Sequence, residues 1–221
     1  MKQKYNSIIF LVFGLFFLCS CNEKSTEPDH IEKLTGLKRV EHEYFITDLK
    51  YNSTDNFLKK NVYEEFNLSY CYIHLDVYEK LMSLVPVLEE KKFKLVFYDC
   101  YRPIEVQRLM WDLLPDTRYV ANPQRGSLHN RGIAIDVGLA DLAGNYLPMP
   151  TKFDFFGPES WHSYEPKTEA EKLGQINKNI LKELCESIGL KPLKTEWWHY
   201  HFPNPKSYSI IYLDKEGTEK Q

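Results

Sequence analysis

The chain has 221 residues, 28 of them basic and 31 acidic, for a formal charge of −3 at pH 7. That length suits one domain with a sizeable core, and the slightly acidic balance, with no basic patch, argues against a nucleic-acid partner. No internal repeat, dividing linker or second long apolar run is present.

At the start, Lys2 and Lys4 precede an apolar run over 8–18 that ends at Leu18-Cys19-Ser20-Cys21. A run of about eleven residues is too short for a membrane-spanning helix, which takes about 20 residues to cross about 30 Å. The pattern resembles a bacterial lipoprotein signal peptide. This implies removal of residues 1–20, lipidation of Cys21, a tether over 21–35 and a folded domain over 36–221. The lipid would hold the protein to a membrane outside the cytoplasm, in the periplasm or at the outer membrane; an uncleaved anchor is the alternative. Without residues 1–20 the balance is 26 basic against 31 acidic, or −5.

Helices are expected at about 76–91, 103–114 and 165–188, and strands at about 94–98, 133–139 and 197–202. The mix predicts an α+β fold: a small, mainly antiparallel sheet flanked by helices, with a site in a cleft. Pro86 is expected to kink the first helix. Pro103 suits the first turn of the second, where no amide donor is needed, which puts Arg102 at a strand-to-helix corner. In the third, Leu173, Ile176, Ile180, Leu184 and Ile188 recur at helical spacing and define a buried face, and Gly189 supplies the C-terminal stop.

The chemistry concentrates in two segments, Ser127-Leu128-His129-Asn130-Arg131-Gly132-Ile133-Ala134-Ile135-Asp136 and Glu196-Trp197-Trp198-His199. Catalytic zinc takes three ligands from His, Asp, Glu or Cys and leaves a position for water. His129, Asp136 and His199 supply that set, with Glu196 left over. Gly132 allows a tight turn before the strand that carries Asp136. Regular extension would put Glu196 and His199 on opposite faces, so a bulge or turn is required at Trp197 and Trp198. Those two tryptophans read as core packing. Zn²⁺, one per chain, is the expected ion, while manganese, iron and cobalt suit the same donors. His42, His74, His162 and His201 are the other histidines weighed as ligands.

These two segments, with Tyr98-Asp99-Cys100-Tyr101-Arg102-Pro103 between Asp48-Leu49-Lys50-Tyr51 and the rest, resemble the VanX-like D-alanyl-D-alanine dipeptidases. The likeness runs from about Asp48 to about Phe202. Related carboxypeptidases and Hedgehog-type domains share its His, Asp and His pattern. The resemblance implies a zinc dipeptidase with His129, Asp136 and His199 as ligands, Glu196 as general base and Arg102 beside the scissile carbonyl. It further implies substrate contacts at Ser127 and Asp154, the acid suiting the ammonium end of a free dipeptide. Tyr119 has a counterpart too, although more residues here intervene before Ser127. The substrate expected is D-Ala-D-Ala or a similar cell-wall dipeptide. A D,D-carboxypeptidase acting on longer stem peptides and a non-catalytic zinc-containing binding module are the alternatives.

Three cysteines remain beyond Cys19 and Cys21: Cys71, Cys100 and Cys185. An oxidising compartment permits one disulfide among them. Cys71 with Cys100 is the expected pair, because Cys185 falls on the apolar stripe of a helix; three buried thiols is the other reading. A bridge at Cys100 would stiffen the Arg102 loop.

Overall fold

In the computed structural model, which describes residues 27–213, a short helix α1 (His30–Thr35) leads into strands β1 (Lys38–Arg39), β2 (Phe45–Thr47) and β3 (Tyr72–Ile73). Helix α2 (Leu75–Lys91), strand β4 (Phe93–Asp99) and helix α3 (Ile104–Leu113) follow. Strand β5 (Ala134–Asp141), helix α4 (Glu169–Ser187) and strands β6 (Lys191–Pro192) and β7 (His199–His201) complete the order. The main sheet runs β2-β4-β5-β7-β6, and β1 pairs with β3 in a separate ribbon. Within the main sheet only β2 and β4 are parallel, so the α+β expectation holds.

The centre of the sheet is β4 against β5, where Leu95, Val96, Phe97, Ile135, Val137 and Leu139 are fully enclosed. Each such side chain contributes about 1.5–3 kcal/mol by leaving water. Side chains alternate along a strand, which puts Ile135, Val137 and Leu139 on one face of β5 and Asp136 on the other. Tyr200, opposite Ile135, lies beside Cys185 of α4, so α4 covers the first face. Asp136 therefore projects from the face turned away from α4.

Two helices follow their predicted bounds closely. In α2, Val77, Leu81, Leu84 and Leu88 make the buried stripe, and the helix continues through Pro86, which lies on its exposed side, to Lys91. Pro103 is the cap residue of α3 rather than its first helical residue.

The third helix needs correction. It starts at Glu169, four residues after the expected point, because the Thr168 side chain caps it by accepting from the Glu171 N–H. Leu173 and Ile176 are half-exposed, at 50% and 55%. The buried stripe is instead Gly174, Asn177, Lys178, Leu181, Leu184, Cys185 and Ile188. A glycine and two polar residues carry its first half, so hydropathy spacing pointed to the neighbouring stripe. Gly174 is there for proximity: a Cβ on it would stand 2.7 Å from the Met149 carbonyl carbon and 2.8 Å from the Pro150 nitrogen. The Asn177 amide donates to the Pro148 carbonyl and the Lys178 ammonium to the His162 carbonyl, both polar groups thereby being satisfied under the helix. The helix does stop at Gly189, which adopts φ +86°, with the Gly189 and Leu190 amides donating back to the Glu186 and Cys185 carbonyls.

At the N-terminal side, α1 lies within the stretch read as a tether. Asp29 caps it in a reciprocal capping box with Glu32, Ile31 is buried, and the Tyr72 hydroxyl donates to Asp29. Residues 1–20 and Cys21, with their signal and lipidation readings, lie outside the described residues. Among the described residues no helix is long and apolar enough to cross a membrane. Cys71 and Cys100 form a disulfide, and Cys185 is a buried free thiol.

Candidate metal centre

Strand register assembles half of the site. Asp136 on β5 is the direct partner of His199 on β7, and opposite residues of an antiparallel pair share a face. The chain reaches His199 through a turn at Trp197 and Trp198, so the strand begins at His199 rather than at the expected 197. That turn meets the geometric requirement read from the sequence: the Glu196 carboxylate ends 4.0 Å from His199 Nδ1 instead of on the far face. The two indoles pack edge to face in the core, both about 1% exposed, and the Trp197 Nε1–H donates to Thr151 Oγ1. They are packing residues, although Trp198 also borders the cavity.

His129 arrives from a tight turn, His129–Arg131, closed by Gly132 at φ +65°. A Cβ on Gly132 would meet Leu37 Cδ2 at 2.5 Å and the His74 amide nitrogen at 3.1 Å. The His74 N–H donates to the Gly132 carbonyl, which pins the turn against β3.

Among the described residues, His129, Asp136 and His199 form the buried group whose ligand atoms lie within 4.8 Å of one another. His129 Nε2 is 3.1 Å from His199 Nδ1 and 3.3 Å from Asp136 Oδ1, and His199 Nδ1 is 3.0 Å from Asp136 Oδ1. On the far side of its ring, His129 Nδ1 lies 2.7 Å from the Cys100 carbonyl oxygen. A carbonyl only accepts, so the ring proton belongs on Nδ1 and the Nε2 lone pair faces the cluster. Donors on a tetrahedral zinc with bonds of 2.0–2.2 Å stand about 3.3 Å apart, close to the separations here. Burial lowers the His199 imidazole in spite of Asp136, which keeps it neutral as a metal ligand must be. Burial would raise Asp136, yet the imidazoles of His129 and His199 hold its carboxyl well below the usual range. The donor set fits a metal ion.

Charge makes the same point. Asp136, Asp154 and Glu196 all border one cavity of about 200 Å³, together with Arg102, Ser127, both ligand histidines and Tyr51. Burial, then Asp136 and Asp154, push Glu196 well above the ordinary carboxylic range, opposed by Arg102. Burial, then Asp136, push Asp154 up to about 8. The guanidinium of Arg102 is already committed to a fourth acid, the fully enclosed Asp99. Acidic groups therefore exceed basic ones around the cavity, and a cation at the histidines would relieve the excess.

The remaining predicted residues also border this cavity. Asp154 sits at φ +60°, a left-handed conformation that is strained for a residue with a Cβ, and both its carboxylate oxygens accept from the Tyr51 hydroxyl at 3.1 Å. Ser127 Oγ accepts from the His129 N–H at 3.3 Å, which leaves its own proton free to donate. Tyr119 borders the cavity as well, its hydroxyl accepting from the Trp161 Nε1–H. Arg102 is held by Asp99 through Nε at 2.9 Å and by Gln107 Oε1 through Nη1 at 2.8 Å. Its guanidinium lies over the Tyr51 ring, and its Nη2 is 3.9 Å from Asp136 Oδ2.

Four supporting residues were not assigned roles from sequence: Asp99, Tyr51, Gln107 and Tyr63, whose hydroxyl donates to Asp99. Tyr51 and Asp99 stand inside segments singled out there, and a buried acid three residues before a buried arginine is a signal that pairing rules could have used. Of the other histidines, only His201 borders the cavity, and none joins the ligand group. His74 caps α2 and His42 stacks on Tyr44.

Comparison with known proteins agrees with this geometry. A family model described as D-ala-D-ala dipeptidase, peptidase M15, matches residues 30–216. A D-alanyl-D-alanine dipeptidase of Escherichia coli (strain K12) is 34% identical over 164 residues, covering 74% of this chain and 82% of that protein. Another, from Enterococcus faecalis (strain ATCC 700802 / V583), is 29% identical over 192 residues, covering 73% of this chain and 89% of that protein.

Proposed function

The chain belongs to the peptidase M15 D-ala-D-ala dipeptidase family, and from that premise we propose that it hydrolyses D-alanyl-D-alanine with a zinc ion held by His129, Asp136 and His199. The family implies a metal, and the observation that carries the reading is the convergence of those three donors at 3.0–3.3 Å beside the Glu196 carboxylate and the Arg102 guanidinium. Bound zinc acts as a Lewis acid on a carbonyl and makes water a better nucleophile near neutral pH.

The chain's own groups account for the rest. Glu196 takes the proton of the attacking water and delivers it to the leaving amine, a task suited to a carboxyl that borders the cavity 4.0 Å from a ligand histidine. As the scissile carbonyl becomes tetrahedral, its oxygen turns anionic, and Arg102 stabilises that charge more than it stabilises the neutral substrate. Asp99 and Gln107 fix the guanidinium beforehand, so little reorganisation is needed. Asp154, held by Tyr51, receives the substrate ammonium, and the free Ser127 proton serves an acceptor on the substrate. Glu196 and Arg102 together argue against a binding module, which has no use for a base.

A cavity of about 200 Å³ is below the roughly 300–1,000 Å³ of drug-sized sites, which favours a dipeptide. One observation favours the carboxypeptidase reading: a larger, open hollow of about 640 Å³ adjoins the first and shares Phe57 and Asp154 with it. The test is release of free alanine, with its enantiomer identified, from D-Ala-D-Ala, L-Ala-L-Ala and a muramyl pentapeptide by the zinc-loaded chain, with Glu196→Gln as control. Glu196-dependent cleavage of D-Ala-D-Ala alone supports the proposal. Cleavage of pentapeptide alone moves the assignment to a carboxypeptidase, and zinc-loaded protein inert on all three refutes catalysis.

The lipoprotein-like start supports placing the enzyme at the cell envelope, anchored through Cys21 outside the cytoplasm. Such a site suits salvage or turnover of released wall peptides better than destruction of a cytoplasmic precursor. Radiolabelled palmitate incorporated into wild type but not Cys21→Ala supports this location; equal labelling, or none, refutes it.

A further inference from the structure

The disulfide partner Cys100 is the residue through which two functional groups are fixed. Its carbonyl accepts from His129 Nδ1 at 2.7 Å and so sets the tautomer and tilt of a metal-ligand ring. Its N–H donates to Asp99 Oδ1 at 2.9 Å, while Asp99 Oδ2 holds Arg102. One peptide segment thus orients the first ligand histidine and, through Asp99, the arginine proposed to act on the carbonyl.

Strand pairing reaches only as far as Asp99, so Cys100 lies just beyond the ladder. The register between β4 and β5 runs evenly from Phe93 to Phe97 and then shifts before Asp99, where the ladder ends. Beyond this irregularity, the Tyr101 N–H donates to the Tyr72 carbonyl and the Arg102 N–H to the His129 carbonyl at 3.2 Å. The covalent tie is the bridge to Cys71, which is itself anchored because its carbonyl accepts from the Val40 N–H at 2.8 Å. Both cysteines are essentially buried, at 0% and 1% exposure, so the bridge faces the interior beside the site.

We infer that the Cys71–Cys100 disulfide is a positioning device for the metal centre, holding the Cys100 carbonyl on His129 and the Asp99–Arg102 pair in place. The inference rests on the proposed metal reading. It predicts that an unbridged protein still folds but binds zinc more weakly and turns over more slowly. Contacts that orient a ligand histidine typically contribute 10–100-fold to metal affinity or activity, and loosening rather than deleting one belongs at the low end.

The experiment compares wild type with Cys71→Ala/Cys100→Ala, both of which leave no thiol near the site. Zinc affinity is read by competition with a chromophoric chelator, the ligand field by the visible spectrum of the Co²⁺ form, and turnover by kcat and KM, all well below the variant's melting temperature. The expected result is a zinc dissociation constant raised about tenfold, an altered Co²⁺ spectrum and a loss mainly in kcat. Unchanged affinity and spectrum in a variant whose only defect is a lower melting temperature would overturn the inference. Wild type that binds no zinc overturns the metal centre itself, and is distinguishable because the variant comparison then never arises. If the double variant does not fold, Cys71→Val/Cys100→Val, which fills the space of the sulfurs and adds no thiol, provides the unbridged state, and the same spectrum and affinity decide.

Discussion

Arg102→Ala separates the arginine's chemistry from its place in the fold, and the structure sets the size of each effect. The side chain is 7% exposed and pairs with Asp99, which has no exposure at all. Removing the guanidinium leaves that carboxylate with the Tyr63 hydroxyl and the Cys100 N–H. Opening a buried ion pair from one side costs about 3–5 kcal/mol, mostly for the charge left behind. In a domain of this size each kcal/mol moves Tm by roughly 2–4 °C, so the variant should melt about 6–20 °C lower. Loss of one donor to a developing oxyanion slows turnover about a hundredfold to a thousandfold.

The two effects are told apart by the paired variant Arg102→Met/Asp99→Asn, which removes both charges. Replacing both partners of a buried pair is often neutral for stability, so most of the lost Tm should return while kcat stays low. Melting by circular dichroism, kcat on D-Ala-D-Ala and zinc content by elemental assay are measured on wild type, the single variant and the pair. A single variant that keeps kcat within threefold refutes the charge-stabilising role. An unmoved Tm refutes the pairing, and a single Arg102→Ala variant without zinc would mean that Arg102 supports the ligands rather than the reaction.

Three further outcomes follow from other parts of the molecule. In metal-free protein, the Asp154 carboxyl titrates near 8 when folded, against 3.8 as a free side chain, so between those values the folded state holds a proton that the unfolded state has released. Stability should therefore fall as pH rises from about 4 to 8, and Asp154→Asn should match wild type only below about pH 4, where both states hold the proton, and exceed it increasingly toward about pH 8 in urea melts; equal pH slopes would contradict the buried acid. Gly174→Ala should destabilise by about 1–3 kcal/mol in spite of its better helix propensity, because the new Cβ meets backbone of Met149 and Pro150; a neutral or stabilising result in denaturant melts would refute the close approach. Loss of the Cys71–Cys100 bridge, with a sequence separation of 29, should cost about 3–4 kcal/mol by loop-entropy reasoning, and a cost under 1 kcal/mol would mean that the unbridged chain is otherwise constrained.

The fold was legible where periodicity had one reading. Leu95 to Phe97 and Ile135 to Leu139 lie in short apolar runs that become central strands, and Val77, Leu81, Leu84 and Leu88 mark α2 unambiguously. In α4 the same reasoning chose Leu173 and Ile176, which are half-exposed. The face that packs begins with Gly174, Asn177 and Lys178, where a missing side chain and two hydrogen-bonded polar groups do what apolar residues do elsewhere. No hydropathy pattern registers a glycine chosen for proximity or a lysine satisfied by carbonyls. The bridge from Cys71 to Cys100 was reached by elimination, from the placement of Cys185 on the helix.

At the site, residue types announced the ligands but not what holds them. His129, Asp136 and His199 are chemically conspicuous, and the turn at Trp197 and Trp198 followed from asking how Glu196 and His199 could share a face. The Cys100 carbonyl is a backbone group, identical in type at every position, and becomes special only because it meets His129 just past the register shift that follows Phe97. Asp99 and Tyr51 likewise acquire meaning through partners distant in sequence: Tyr51 from Asp154, more than a hundred residues on, and Asp99 from Tyr63 and the corner that bears Arg102. Metal-binding groups can thus be inferred from composition and order, whereas the orienting contacts depend on tertiary register. It follows that substitutions outside the ligand set, at residues 99 and 51, should separate metal affinity from turnover more cleanly than changes to the ligands themselves, which must abolish both.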